Sequence, residues 1–564
     1  MVEGVHGSLD RRDAVALALL GLIGVGIPLW LAAAAGAIGV PAIDDWTYMW
    51  GAESLFRSGV VDMPGHTAAA IGQLVIVQPL LWLSGGGRWA FTAFGLIMTL
   101  IGVVATYLLA RRRLGMGSAV MVVLLVEAFP GFARISATFM TDVPALALAV
   151  LSVYLGTRWL DGGRRLTLVA SLAVGLVGLS IREFAIAAPL SVLVAGWARS
   201  RPEDRSWLVG TSAAFVTGVA LVLVAVVSMP GRGVSLTDGG LAQVILIGPA
   251  FTTLAAVLLP AVALGLGRRL TDVRPAQLIL GFGLVGFVLV MPLRPLVGDL
   301  WMSTGVVGNA LLSGIRDPVI GVPAWGWSQQ LALFAAGLLA ALALRWFGSN
   351  LAPVGAGISP ARRLLRIARS ADGVLILFVV FNGFELAVFA TINGILDRYL
   401  FPLVPAAAIL LLQGQGPSSF GRRHASAHAA FAWLAISAAV VALNSFAYDG
   451  ARWRAGEAAV NLGYAATAID GGYEWVGYHA GEESVAGKEV SGRSWYYDRI
   501  PADQPCAVIS NSPLDDDALR LIRVNATAYR QYLFFGPEGP LYLYGAVADG
   551  CPPLPGSSAA TQAP

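Results

Sequence analysis

The chain has 564 residues, of which 57% are hydrophobic and only 13% charged, and its mean hydropathy is +0.71. A soluble domain carries roughly 25% charged residues, so the composition excludes an ordinary water-soluble protein. The net charge of +3 points to no particular partner and gives no basis for nucleic-acid binding.

Apolar runs recur at about the length that crosses a bilayer, roughly 20 residues each. The first covers 14–38 and follows Arg11 and Arg12. No small-residue cleavage site stands behind it, so it reads as a signal anchor. Further runs fall at 89–110, 115–133, 142–158, 166–181, 183–198, 207–229, 241–266, 276–292, 328–345, 373–391, 399–413 and 427–446, which makes thirteen candidate spans. The expected fold class is an all-α polytopic membrane protein with a small C-terminal α/β domain outside the membrane. No internal repeat with broken helices is evident.

Loop 39–88 begins with Val40-Pro-Ala-Ile-Asp44-Asp45-Trp46-Thr47-Tyr48. Two adjacent carboxylates at the mouth of a membrane helix are costly unless solvated or used. Being adjacent, they point in different directions, so one can act on a substrate while the other orients a partner. The run Ala68–Leu83 is short and broken by Gln73, Gln78 and Pro79. It reads as a helix lying at the interface. The second long loop, 293–327, carries Arg294, Asp299, Arg316, Asp317, Trp325 and Trp327. Its Trp residues suit headgroup anchoring, and the loop also suits closure over a substrate.

Arginine distribution predicts the orientation. With the N-terminus in the cytoplasm, the cytoplasmic connections hold 21 Arg and the opposite side, without the tail, holds 8. An odd number of spans then places the tail outside. Cys506 and Cys551, the two cysteines of the chain, both lie in that tail and are disulfide candidates in an oxidising compartment.

On this topology Asp44, Asp45, Asp62, His66, Arg134, Asp142, Arg182, Glu183, Arg294, Arg316, Asp317, Glu385, Asp397 and Arg398 gather near the external face. A carboxylate there can take a proton from an acceptor hydroxyl. Asp142 precedes Pro144 and can equally cap its helix. Arg182, beside Glu183, and Arg398, beside Tyr399, can each hold a phosphate through paired hydrogen bonds, or snorkel to headgroups. His66 stands alone in the first loop. Glu127 falls inside a run, away from its ends.

From 448 the composition changes. Ala451–Ala466 reads as a helix, Pro505–Ser510 as a strand, and Tyr529–Phe535 with Leu541–Val547 as a hairpin. The expected division is a membrane domain 1–447, an α/β appendage 448–555 and a disordered end 556–564.

Taken together, several segments resemble the GT-C superfamily of polyprenyl-phosphate-dependent glycosyltransferases, in the branch of protein O-mannosyltransferases and the lipid A aminoarabinose transferase. They are Asp44-Asp45-Trp46-Thr47-Tyr48, Pro64-Gly-His66, Gln78-Pro79-Leu80, Arg88, Arg111-Arg112-Arg113, Thr141-Asp142-Val143-Pro144, Ile181-Arg182-Glu183-Phe184, Arg398-Tyr399-Leu-Phe-Pro402 and Ile469-Asp470-Gly-Gly-Tyr-Glu-Trp475. The resemblance implies a GT-C-like fold of about 13 membrane helices in the plasma (inner) membrane. It implies a sugar on a polyprenyl phosphate, an acceptor hydroxyl on a glycan, lipid or protein, and inversion at the anomeric carbon. Asp44, Asp45 and Asp142 are the implied catalytic residues, with His66, Arg182, Glu183, Arg398 and Tyr399 binding substrate. The first-loop His departs from the family's His-Pro-Pro pattern. No cofactor is certain: some members use a divalent metal and others none, and no metal ligand is assigned. A membrane transporter or a non-catalytic cell-envelope assembly protein is the alternative reading.

Overall fold

The structure, a computed structural model, describes residues 10–63, 68–228, 247–269, 273–290, 325–351, 360–392, 395–413, 425–479 and 505–553, the last without positions 512, 515–516, 518, 525, 534 and 548–550. His66, Arg294, Arg316 and Asp317 lie outside the described residues, as does nearly all of loop 293–327.

The first helix, α1, runs Arg11–Ala35. Asp10 caps it: its carboxylate accepts the Arg12 and Asp13 N–H groups, and Asp13 reaches back to the Asp10 amide. A π turn, Leu22–Gly26, interrupts it where Gly24 meets Glu127, an approach that leaves no room for a Cβ. Helix α2 (Asp45–Ser58) follows, then two short helices, α3 (Ile71–Ile76) and α4 (Gln78–Ser84). Trp82 and Leu83 of α4 are exposed, as expected of a helix lying at an interface.

The remaining helices are α5 (Trp89–Arg111), α6 (Met116–Glu127), α7 (Phe132–Ser136), α8 (Asp142–Leu160), α9 (Arg165–Ile181), α10 (Ala187–Arg199), α11 (Arg205–Val227), α12 (Ile247–Arg269), α13 (Pro275–Val290), α14 (Trp325–Leu351), α15 (Pro360–Arg369), α16 (Gly373–Ile392), α17 (Leu403–Leu412) and α18 (Ala425–Asn461). Among the described residues, seven helices are long and apolar enough to cross a membrane. Most of the other runs of the expected thirteen fall on shorter helices, and that at 328–345 falls within α14. Ten-residue α17 covers only about 15 Å, half a hydrocarbon core. The protein is a multi-pass membrane protein. Its apolar outer faces, such as Leu221, Val224 and Val227 of α11, are exposed as lipid-facing residues are.

Helix α8 is the centre of the bundle and packs against α5 and α9. Small residues let it do so: a Cβ at Gly102 of α5 would meet Ala147, one at Gly178 of α9 would meet Leu148, and Gly156 of α8 itself lies against Val192 of α10. The opposite end of the bundle from Asp44 is rich in Arg. There Arg111 pairs with Asp13, Arg112 with Asp161, and Arg369 donates to the Ala198 carbonyl.

The last helix differs from the expectation of a span ending at 446 and a separate helix from 451. Helix α18 is continuous over 37 residues and passes through position 447 without a break. No Pro or chain-reversing Gly stands between its apolar half and its Ala-rich half to end it. Beyond it lie β1 (Ile469–Asp470), helix α19 (Tyr473–His479), β2 (Ala507–Ser510), β3 (Leu519–Val524), β4 (Tyr529–Arg530), β5 (Glu538–Gly539) and β6 (Tyr542–Ala546). The main sheet has the order β1-β2-β6-β3, with β1 parallel to β2 and the rest antiparallel.

The expected hairpin is thereby corrected. The segment from Tyr542 pairs with β2 and β3, while β4 pairs only with β5. Strand β6 presents Leu543, Tyr544 and Ala546 to the core and so takes the buried central position. Strand β3, with Arg520 and Arg523 on its face, was hidden by its polarity. Cys506 and Cys551 form a disulfide that ties β2 to the chain after β6. Leu31 and Ala35 of α1, Tyr448 and Trp453 of α18, and Ile509, Tyr529 and Leu543 of the appendage share one apolar core.

Candidate active site

The site forms where three turns converge at one end of the bundle. The first is Ala42-Ile43-Asp44 at the start of α2. The second is Thr141-Asp142 at the start of α8, facing Arg182 after α9. The third is the 3-10 turn Asp397–Leu400 that precedes α17.

Asp44 and Asp45 divide as adjacent residues must. Asp45 turns inward and is buried; its two oxygens accept the Ala42 amide at 2.6 Å and the Phe139 amide at 3.1 Å. Burial pushes its carboxyl well above the usual carboxylate range, against the pull of those two amides. Asp45 thus joins the first loop to the segment before α8. Asp44 turns outward. Its carboxylate is 37% exposed and accepts from the buried Arg398 guanidinium at 2.8 Å.

Arg182 is the second cation. One of its nitrogens donates to the Thr141 hydroxyl at 2.7 Å and to Asp142 at 3.1 Å. Asp142 is fully buried, and its other oxygen has no hydrogen-bond partner among the described residues. The Tyr399 ring lies beside both cations: the Arg182 guanidinium is 4.8 Å from its centroid and that of Arg398 is 5.9 Å. The negative face of an aromatic ring attracts a guanidinium placed over it. Burial holds the phenols of Tyr399 and Tyr48 above their ordinary value, so both stay neutral hydrogen-bonding groups.

A narrow cleft opens beside this cluster. Arg182, Glu183 and Tyr399 line it on one side, and Asn382, Glu385 and Phe389 of α16 on the other. One Glu385 oxygen is buried without a hydrogen-bond partner among the described residues.

The structure therefore brings together Asp44, Asp142, Arg182, Arg398 and Tyr399, with Glu183 on the adjoining cleft. Asp45 is beside them but faces the core. Arg134 is not part of the cluster: it forms a buried two-pronged pair with Asp449 of α18, at 2.8 and 2.9 Å. Glu127 is also elsewhere, against Gly24. Tyr48 and Thr141 belong to the cluster but had been quoted only as neighbours of the acids. Tyr48 stands four residues after Asp44, a helical spacing that marks it; no local spacing marks Thr141, whose partner Arg182 is 41 residues away. Among the described residues no three His, Cys, Asp or Glu side chains converge to hold a metal ion, so no step below is routed through one.

Fold and site define a multi-pass helical membrane protein with acids and guanidinium groups paired at one end of its helices. Residues 73–229 match the family model of dolichyl-phosphate-mannose-protein mannosyltransferase. That segment contains Asp142, Arg182 and Glu183 and leaves out Asp44 and Arg398. No curated protein matches the chain. Two solved structures of ArnT from Cupriavidus metallidurans, one bound to undecaprenyl phosphate and one apo, are similar at 13% identity. Each covers 96% of this chain and 99% of its own, with a TM-score of 0.38. So distant a likeness carries no argument about the site.

Proposed function

We propose that the protein is an integral-membrane glycosyltransferase that moves a sugar from a polyprenyl-phosphate donor to an acceptor hydroxyl on the extracytoplasmic face. The observation that carries this reading is the partly exposed Asp44 carboxylate, 2.8 Å from a buried Arg398, with Arg182 also beside the Tyr399 ring. The matching family's name supports the donor class, since it specifies a sugar on a lipid phosphate.

The chemistry follows from the residues. Asp44 takes the proton of the acceptor hydroxyl as general base. The freed oxygen attacks the anomeric carbon from the face opposite the phosphate, and the bond from that carbon to the phosphate oxygen breaks. The configuration inverts, and the lipid phosphate leaves with its charge shared by Arg398 and Arg182. Asp142 fixes Arg182, and Asp45 fixes the turn below Asp44. The cleft beside Arg182, apolar at Phe184 and Phe389 and polar at Glu385 and Asn382, suits the junction of a lipid chain and a sugar phosphate. Membrane domain 1–447 holds the chemistry, and 448–555 stands outside. The Arg bias and the Cys506–Cys551 disulfide support that orientation in a plasma membrane.

The test is incubation of the purified protein with a panel of labelled polyprenyl-phosphate sugars, beside the Asp44→Asn variant. Transfer from one donor, abolished by Asp44→Asn in a folded protein, is expected. Undiminished transfer by Asp44→Asn removes Asp44 as the base. The transporter reading has Glu127 and Glu385 in its favour, acids within membrane helices, but they line separate cavities.

A further inference from the structure

The turn that presents Asp44 is strained. Ile43 has φ of +59°, a left-handed conformation that penalises any side chain and a β-branched one most. Such a residue persists only where its surroundings over-determine it.

The surroundings come from the far end of the chain. The Ile43 amide donates to one oxygen of Glu474 at 3.0 Å, across 431 residues of sequence. Glu474 is 3% exposed, and its other oxygen accepts from Arg452 of α18 at 2.5 Å. Helix α19, which carries Glu474, touches α2 twice more. Gly477 lies against the Trp46 indole so closely that a Cβ would come within 2.4 Å of the ring. The Tyr478 hydroxyl donates to Glu53 at 2.8 Å. Gly472, at φ +90°, lets the chain turn into α19 beside the Arg452 guanidinium, where a Cβ would collide.

We infer that Glu474 is a positioning residue for the reaction: by holding the Ile43 amide, the C-terminal appendage keeps the strained turn that aims Asp44 at Arg398. The inference rests on the proposed glycosyltransfer with Asp44 as base. Arg452 fixes Glu474 in turn, so α18 and α19 together form a clamp on the first loop. Without the Glu474 oxygen, Ile43 relaxes to negative φ and Asp44 leaves its aligned position. The loss then falls on the chemical step, because Arg182 and the cleft still bind the donor.

The experiment uses the full chain in lipid nanodiscs, with the donor that the panel identifies. Glu474→Ala is expected to lower kcat by roughly 10–100-fold, the worth of a hydrogen bond to a charged group, with donor KM within threefold. Because that change strands Arg452, Glu474→Ala/Arg452→Met is measured beside it and is expected to show the same kcat loss in a folded protein. Adding Ile43→Gly removes the Cβ penalty at positive φ and is expected to restore at least tenfold of kcat in either background. Full kcat in both Glu474 variants, or a loss that Ile43→Gly leaves untouched, overturns the inference. Asp44→Asn in the same assay separates the two readings. If it is inactive while the Glu474 variants are unimpaired, only the clamp fails; if it is active, Asp44 is not the base and the reading on which the clamp rests fails.

Discussion

Arg182 allows the sharpest quantitative test. Its side chain is 10% exposed and that of Asp142 is 0% exposed, with 3.1 Å between nitrogen and oxygen. Arg182→Gln removes the cation and leaves a buried carboxylate without its paired guanidinium. Breaking one side of a buried pair costs about 3–5 kcal/mol, and the loss of the Thr141 contact adds to it. The expected result is a clear drop in the thermal unfolding midpoint of the detergent-purified protein, measured by intrinsic tryptophan fluorescence. Asp142→Asn/Arg182→Gln removes both charges and is expected to recover most of that stability. It is not expected to recover sugar transfer or the binding of undecaprenyl phosphate, because the phosphate still lacks its cation. A midpoint for Arg182→Gln equal to wild type would refute the premise that Asp142 depends on this partner. A double variant that is both stable and active would refute the role in phosphate binding.

Arg398→Ala is expected to lower kcat as well as donor affinity, since Arg398 contacts Asp44 directly; Arg398→Lys, which lacks the planar fork, should recover only part of either, as steady-state kinetics would show. Removing the disulfide with Cys506→Ser/Cys551→Ser opens a loop with a sequence separation of 45 and should cost the appendage about 4 kcal/mol, measured by protease susceptibility of the region beyond α18. Asp470, buried in β1, has its carboxyl pushed up by burial from 3.8 to about 6, so its contribution to stability is complete below the lower value and is lost as pH rises through the higher one. Asp470→Asn keeps the acceptor for the Gly472 amide and should be more stable than wild type by up to about 3 kcal/mol at pH 8, with the difference gone near pH 4. A pH-independent difference in unfolding midpoints would contradict that account.

Much of the helical architecture could be read from hydropathy. The apolar runs fall on helices, and the first loop carries two short helices over Ile71–Ser84 where one helix over Ala68–Leu83 was expected. Lipid imposes this legibility, because a spanning segment must satisfy its own backbone and face hydrocarbon. Asp44, Asp142, Arg182 and Arg398 were singled out because charge near a membrane helix needs a reason. Their pairing could not be read: which acid meets which guanidinium depends on how α8, α9 and α17 are seated. Nor could the inward turn of Asp45, which follows from a backbone conformation of Ile43 that no propensity favours. The appendage was least legible. Its strands are two to six residues long, and β3 alternates too weakly to stand out from a loop. Glu474 stood in a quoted motif without a role, since its partners are at positions 43 and 452.

Helix α18 has a mechanical consequence. At 37 residues it is about 55 Å long, whereas hydrocarbon occupies roughly 30 Å of it. What projects is a stiff mast, not a tether, and the sheet is bolted to it by Thr527, whose hydroxyl donates to the Ala451 carbonyl. The appendage is therefore carried on a rigid extension of the last helix and moves as that helix moves.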